Sequence, residues 1–268
     1  TYDEYVNDFV YDEYIIDCPT IDEPGPATVR IAFSEDGMTG YIVALSDDGS
    51  VPFSVGCYYP IVYKTTDGGE NWDEPFGVQL GGPDGFSYLV YDFLSDEDLA
   101  GIYEPPVPAR DEVPYTTAFD LDLVVDAYGN PHIAVIIGAG GGEMDIVAKE
   151  DCFGAFDIYS FDGGESWNLL PLGKLKTFKG EFGDLTEYNR INASKTKDGS
   201  KVFISWQDTQ FEGVETNTQP DIFCAGFDPI NHRWTETVNV TQYTEAWLQS
   251  FFFVAPQYVF DEAGTYTI

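Results

Sequence analysis

Apolar residues fall into short runs rich in β-branched and aromatic side chains, and turn residues break each run before a helical period develops. Val29-Arg30-Ile31-Ala32-Phe33 and Gly40-Tyr41-Ile42-Val43-Ala44-Leu45 flank Ser34-Glu35-Asp36-Gly37. Such a pair predicts a β-hairpin, since Gly supplies positive φ and Asp can hydrogen-bond its own turn. Ser46-Asp47-Asp48-Gly49 supplies the next turn, and a strand from Tyr58 to Tyr63 leads into Thr65-Thr66-Asp67-Gly68-Gly69-Glu70-Asn71-Trp72.

The unit recurs. Leu121 to Val125 and Pro131 to Ile136 flank Asp126-Ala127-Tyr128-Gly129-Asn130, and Asp157-Ile158-Tyr159 enters Ser160-Phe161-Asp162-Gly163-Gly164-Glu165-Ser166-Trp167. A third copy runs from Ile191 to Ser194, through Asp198-Gly199, Val202 to Trp206 and Asp221 to Phe223, into Asp228-Pro229-Ile230-Asn231, and is closed by Trp234. A fourth begins with Phe251 to Phe260 and turns at Asp261-Glu262-Ala263-Gly264. Within units the first turn precedes the second by about 31, 36 and 30 residues, whereas successive units start about 90, 72 and 63 residues apart. Constant internal spacing with variable connectors predicts four-stranded blades, and radial repetition of blades makes a propeller.

The predicted fold is therefore all-β: a β-propeller of four-stranded antiparallel blades, about three and a half of them in this chain. Blades are expected at about 27–80, 115–172, 187–240 and 247–268. Residues 1–26 form an acidic aromatic arm or a ring-closing strand, with Tyr-Asp-Glu-Tyr at Tyr2–Tyr5 and again at Tyr11–Tyr14, and Pro24-Gly25-Pro26 ends them. Residues 81–114 are an insertion carrying Pro83, Pro105, Pro106, Pro108 and Pro114. Long loops on a rigid scaffold commonly carry binding function, and a passive excursion is the other reading. The missing blades are expected beyond Ile268 or from a partner.

Composition narrows the function classes. Acidic residues number 47 against 12 basic ones, a net charge of -35, and no basic patch interrupts them. That field repels nucleic acid and anionic membrane surfaces, so neither is an expected partner. A solvated, salt-adapted surface accounts for the acidity. Calcium on clustered carboxylates is a second reading, and no Asp-x-Asp-x-Asp-Gly loop supports it. Cys18, Cys57, Cys152 and Cys224 form no CxxC pair, which leaves disulfides in an exported protein or buried thiols. With no charged leader and no apolar run of membrane-spanning length, a mature or trimmed chain without a transmembrane helix is expected.

The pattern Ser/Thr-x-Asp-Gly-Gly-x-x-Trp resembles the Asp-box, or BNR repeat, of sialidase-like β-propellers. There the box folds the turn between the two outer strands of a blade. The resemblance implies that role for Thr65, Asp67, Gly69 and Trp72, and for Ser160, Asp162, Gly164 and Trp167. Phe227, Asp228 and Trp234 match only in part, because both turn glycines are missing. More weakly, Lys201 to Thr209 and Asp261 to Ile268 resemble propellers of large bacterial surface proteins exported by type IX secretion, which would make this chain the front of a longer protein.

Two functions follow. The first is a non-catalytic, secreted or cell-surface propeller that binds protein or glycan, a default because fold does not fix function. The second is a sialidase-like glycoside hydrolase, which needs three arginines around a carboxylate, a Tyr nucleophile with its Glu, and an acid/base Asp. The chain has four arginines: Arg30, Arg110, Arg190 and Arg233. Val29-Arg30-Ile31-Ala32 lacks the aromatic and the Pro of that family's arginine motif, so Arg30 and Arg190 are weak catalytic candidates that could converge on the central channel. His132 and His232 read as strand or turn packing, and Gly138 to Gly142 as a flexible connector. No Gly-x-Ser-x-Gly, P-loop or His-Glu-x-x-His occurs.

Overall fold

A computed structural model describes residues 2–10, 15–18, 20–21, 25–54, 56–142, 145–178, 189–214, 216–251 and 254–268. The second Tyr-Asp-Glu-Tyr, Pro24, Tyr188, Phe252 and Phe253 lie outside them. The chain builds antiparallel sheets in sequence order. In the first, Thr28–Phe33, Gly40–Ser46, Tyr59–Thr65 and Phe76–Gly77 pair in succession. The second orders Tyr115–Val125, Pro131–Gly142, Phe153–Tyr159 and Asn168–Lys174, and the third Asn192–Lys195, Val202–Asp208, Asp221–Asp228 and Arg233–Trp234. A hairpin, Phe260–Glu262 with Thr265–Thr267, follows, so the fourth unit starts its regular strand later than Phe251.

Short turns join neighbouring strands, so the first-to-second and third-to-fourth turns of each sheet share one end. Three residues tie these ends together across sheets. The Tyr41 hydroxyl lies 2.9 Å from Gly129 O and 3.0 Å from Gly163 O. Ala127 N donates to Gly199 O at 3.0 Å. The buried Lys195 ammonium, on the leading strand of the third sheet, donates to Phe33 O at 3.2 Å and Val125 O at 2.6 Å, the last residues of the other two leading strands. The backbone of Lys195 also pairs with the segment ahead of the last hairpin, donating to Gln257 O and accepting from Val259 N, each at 2.9 Å. Lys195 thus gathers four chain segments.

Alternation puts Tyr41, Val43 and Leu45 against Leu121, Leu123, Val135 and Ile137 in one core, while Val124, Ala134 and Ile136 face Ile204, Trp206 and Phe227 in the next. The middle strands read as continuous apolar runs because both of their faces are covered.

Two expectations change. The insertion is not bare loop: Tyr88–Phe93 forms a π-helical turn, Asp96–Ile102 an α-helix and Arg110–Glu112 a 3-10 turn. Ser95 and Asp98 cap the α-helix reciprocally, and Leu89, Phe93, Leu94 and Leu99 join the first core. Local capping and burial make a helix too short for periodicity to reveal. Gly138 to Gly142 is strand rather than flexible connector, with Gly138 packed so that a Cβ would lie 2.8 Å from Phe153 Cβ. All four cysteines are free thiols, Cys18 half-buried and the other three buried.

Candidate functional site

The three leading strands bring a compact charged cluster together. Arg30 Nη2 lies 3.0 Å from Asp120 Oδ1 and its Nε 3.9 Å from Asp122 Oδ1, with those side chains 30% and 27% exposed. Asp120 and Asp122 share a face because they are two apart on one strand. Asp122 Oδ2 also accepts from Ala193 N at 2.9 Å, pinning the third leading strand. Burial raises both carboxyl pKa values above the ordinary range, and Arg30 opposes the rise at each. Arg190, in the left-handed region at φ 46°, opens the third sheet and adds to the positive potential at Asp120. Arg30 and Arg190 therefore act on one carboxylate.

The other arginines stand elsewhere. Arg110 donates to Leu94 O at 2.5 Å and pairs with Asp96 at 2.6 Å, which ties down the insertion. Arg233 is exposed on the outermost strand of the third sheet. The abundance of acidic residues had hidden Asp120 and Asp122 in the sequence; their spacing ahead of the Asp126 turn was the available signal.

The two Asp-Gly-Gly turns carry one hydrogen-bond network. Thr65 Oγ1 donates to Asp67 Oδ1 and accepts from Gly69 N at 3.0 Å, while Asp67 Oδ1 and Oδ2 accept from Asn71 N and Nδ2 at 2.9 and 2.7 Å. In the second turn Ser160 Oγ accepts from Gly164 N at 2.8 Å, and Asp162 accepts from Ser166 N and Oγ at 2.8 and 2.6 Å. The residue-71 and residue-166 side chains lead in holding both Asp pKa values down to about 2. Gly69 and Gly164 both sit at φ 91°, and a Cβ on either would lie 3.6 Å from Cζ2 of Trp72 or Trp167. Asp228 repeats the carboxylate half, accepting from Asn231 N and Nδ2 at 3.1 and 2.9 Å. The Asp67 and Asp162 carboxylates bond chiefly within their own turns, which suits a shaping role, and Oδ2 of Asp162 accepts from Ser166 Oγ alone.

A second polar centre was not legible. His132 is wholly buried between the second and third sheets, with Nδ1 2.7 Å from Asp157 Oδ2 and Nε2 3.8 Å from Asp126 Oδ2. Its ring stacks on Tyr159 at 5.9 Å and touches Phe227 at 4.9 Å. Burial alone would push the imidazole pKa down, but the charge and hydrogen bond of Asp157 and the nearby Asp126 carboxylate bring it up to about 9. His132 therefore does more than pack: its contact with Asp157 at 2.7 Å favours the charged imidazole in the core.

Among the described residues no three His, Cys, Asp or Glu side chains gather as a metal-holding group, and no helix is long and apolar enough to cross a membrane.

No family model matches the chain, and no curated protein matches it. Solved structures it resembles include a Hadza microbial sialidase, Hz136, at 13% identity and TM-score 0.44, covering 77% of this chain and 36% of that one. The NanB sialidase from Streptococcus pneumoniae aligns at 8% identity and TM-score 0.38, over 87% and 55% of the two chains. A family 117 glycoside hydrolase, Zg3597, from the marine bacterium Zobellia galactanivorans aligns at 13% identity and TM-score 0.33, over 79% and 57%. The chain spans less than two thirds of the length of each.

Proposed function

We propose that this chain is part of a β-propeller with Asp-box turns that serves as a non-catalytic binding or scaffold module for glycan or protein, secreted or displayed at a cell surface. The observation that carries this reading is the state of Arg30. Sialoside hydrolysis needs a clamp of arginines with free forks for the substrate carboxylate. Arg30 already faces two carboxylates of its own chain, and Arg110 and Arg233 are stationed elsewhere. A substrate carboxylate about 4 Å from Asp120 would meet a repulsion of about 4 kcal/mol at an effective dielectric near 20. Incubation with fluorogenic sialosides should give no turnover, while a glycan array or pull-down should retain a partner. Sialoside turnover that Arg30→Ala abolishes would overturn the reading.

The pair of raised carboxyls supports a second reading, hydrolysis of an uncharged glycoside by Asp120 and Asp122 as acid and base. Neutral aryl glycosides test it. Turnover lost in both Asp120→Asn and Asp122→Asn would favour it over binding alone.

A further inference from the structure

At the turn end, apart from the Arg30 cluster, a groove of about 620 Å³ opens between the turns of all three sheets. One wall is apolar: Phe161 is 38% exposed, Ile230 54% and Tyr128 61%. His232 packs against Phe161 in a T-shaped contact at 4.3 Å between centroids. Lys64, Thr66 and Asp162 line the same space.

Lys64 is the cation of the groove. In a chain of net charge -35, Lys176 pairs with Glu150 and Asp151, Lys201 with Asp228 and Arg30 with Asp120. The side chain of half-buried Lys64 makes no ion pair or hydrogen bond among the described residues. Its place against the second sheet depends on Gly163, where a Cβ would come within 3.2 Å of Nζ and where φ is 73°. The walls are also fixed in advance. Tyr41 holds Gly129 and Gly163, and Asn130 Oδ1 accepts from Gly163 N at 3.0 Å. A rigid groove loses little freedom on binding.

We infer that this groove binds a neutral saccharide, one pyranose face against Phe161 and its hydroxyls on Lys64, Thr66 and Asp162. An aromatic platform offers a large apolar contact to the C–H face of a sugar, and the volume falls in the usual range for small-ligand sites. The charges select the class. An anion would meet Asp162 and the field of the whole chain, and a cation would meet Lys64. A hydroxyl-rich, uncharged ligand uses a donor and an acceptor at once.

This inference deepens the binding reading and rests on it. The test is a glycan array of neutral and anionic saccharides on the whole chain, followed by calorimetric titration of the best neutral ligand. Lys64→Ala and Phe161→Ala should each weaken binding by about tenfold or more, and Arg30→Ala should bind like the wild type. Phe161 also contacts Tyr159 and Trp234, so Tyr128→Ala, which removes an exposed ring, supplies a variant that spares the core. Unchanged binding in Lys64→Ala and Tyr128→Ala, loss confined to Arg30→Ala, or preference for anionic glycans would overturn the groove while leaving the binding reading in place. An array that retains no saccharide would also overturn it, with a protein partner then carrying the binding reading. Sialoside turnover would overturn both.

Discussion

Raising the pH from 6.5 to 9 should weaken the protein through His132. The imidazole is wholly buried, and its pKa rises from 6.5 to about 9 because Asp157 and Asp126 together outweigh the burial that opposes its charge. The folded state therefore holds this proton more tightly than the unfolded chain. The resulting stability is fully present below 6.5 and is lost as pH climbs through about 9. A rise of that size corresponds to about 3 kcal/mol. Urea unfolding followed by Trp fluorescence at pH 6.5, 7.5 and 9 reads the loss directly. The control is His132→Gln, which should flatten the slope and, by leaving Asp157 buried without its counter-charge, cost about 3 to 5 kcal/mol at pH 6.5. Asp157→Asn should bring the imidazole pKa down and move the wild-type decline to lower pH. Equal pH slopes in wild type and His132→Gln would refute the buried imidazolium.

Lys195→Met should cost about 2 to 4 kcal/mol in urea unfolding, because the Phe33 and Val125 carbonyls lose the donor that joins three leading strands. Gly164→Ala, at φ 91°, should lower stability by about 1 to 2 kcal/mol, and Gly69→Ala should match it, since both turns have the same geometry. A large difference between the two would mean the turns are not equivalent. Burial raises the Asp208 carboxyl pKa to about 6, so its share of stability is present below about 4 and falls as pH rises through 6; Asp208→Asn should remove that decline in acid-range unfolding curves. Arg30→Met should raise the carboxyl pKa of Asp120 further, seen by carboxyl-resolved NMR titration.

Much of the sheet architecture was readable, because each turn announces itself in a few adjacent residues. Asp67, Gly69, Asp162 and Gly164 act within their own turns, so spacing alone locates them. The α-helix at Asp96–Ile102 was not readable: its cap lies in Ser95 and Asp98, but the helix is stabilised by Leu99 packing into a distant core. Gly138 to Gly142 misled for a related reason, since glycines there permit close packing beneath Phe153 and Ile146 rather than flexibility.

The candidate sites divide along the same line. Sequence by itself determined the hairpins, the turn clasps and the strongly acidic exterior, because those depend on local conformation and on summed charge. Only tertiary structure decided which of 47 acidic residues meet a cation, among them Asp120 and Asp122 at Arg30 and Asp126 and Asp157 at His132. It also decided that Lys64 stays unclaimed among the described residues in a groove built by three sheets. Pairing and desolvation are set by which strands lie side by side, and that adjacency is written in the packing of whole sheets rather than in any short stretch of chain.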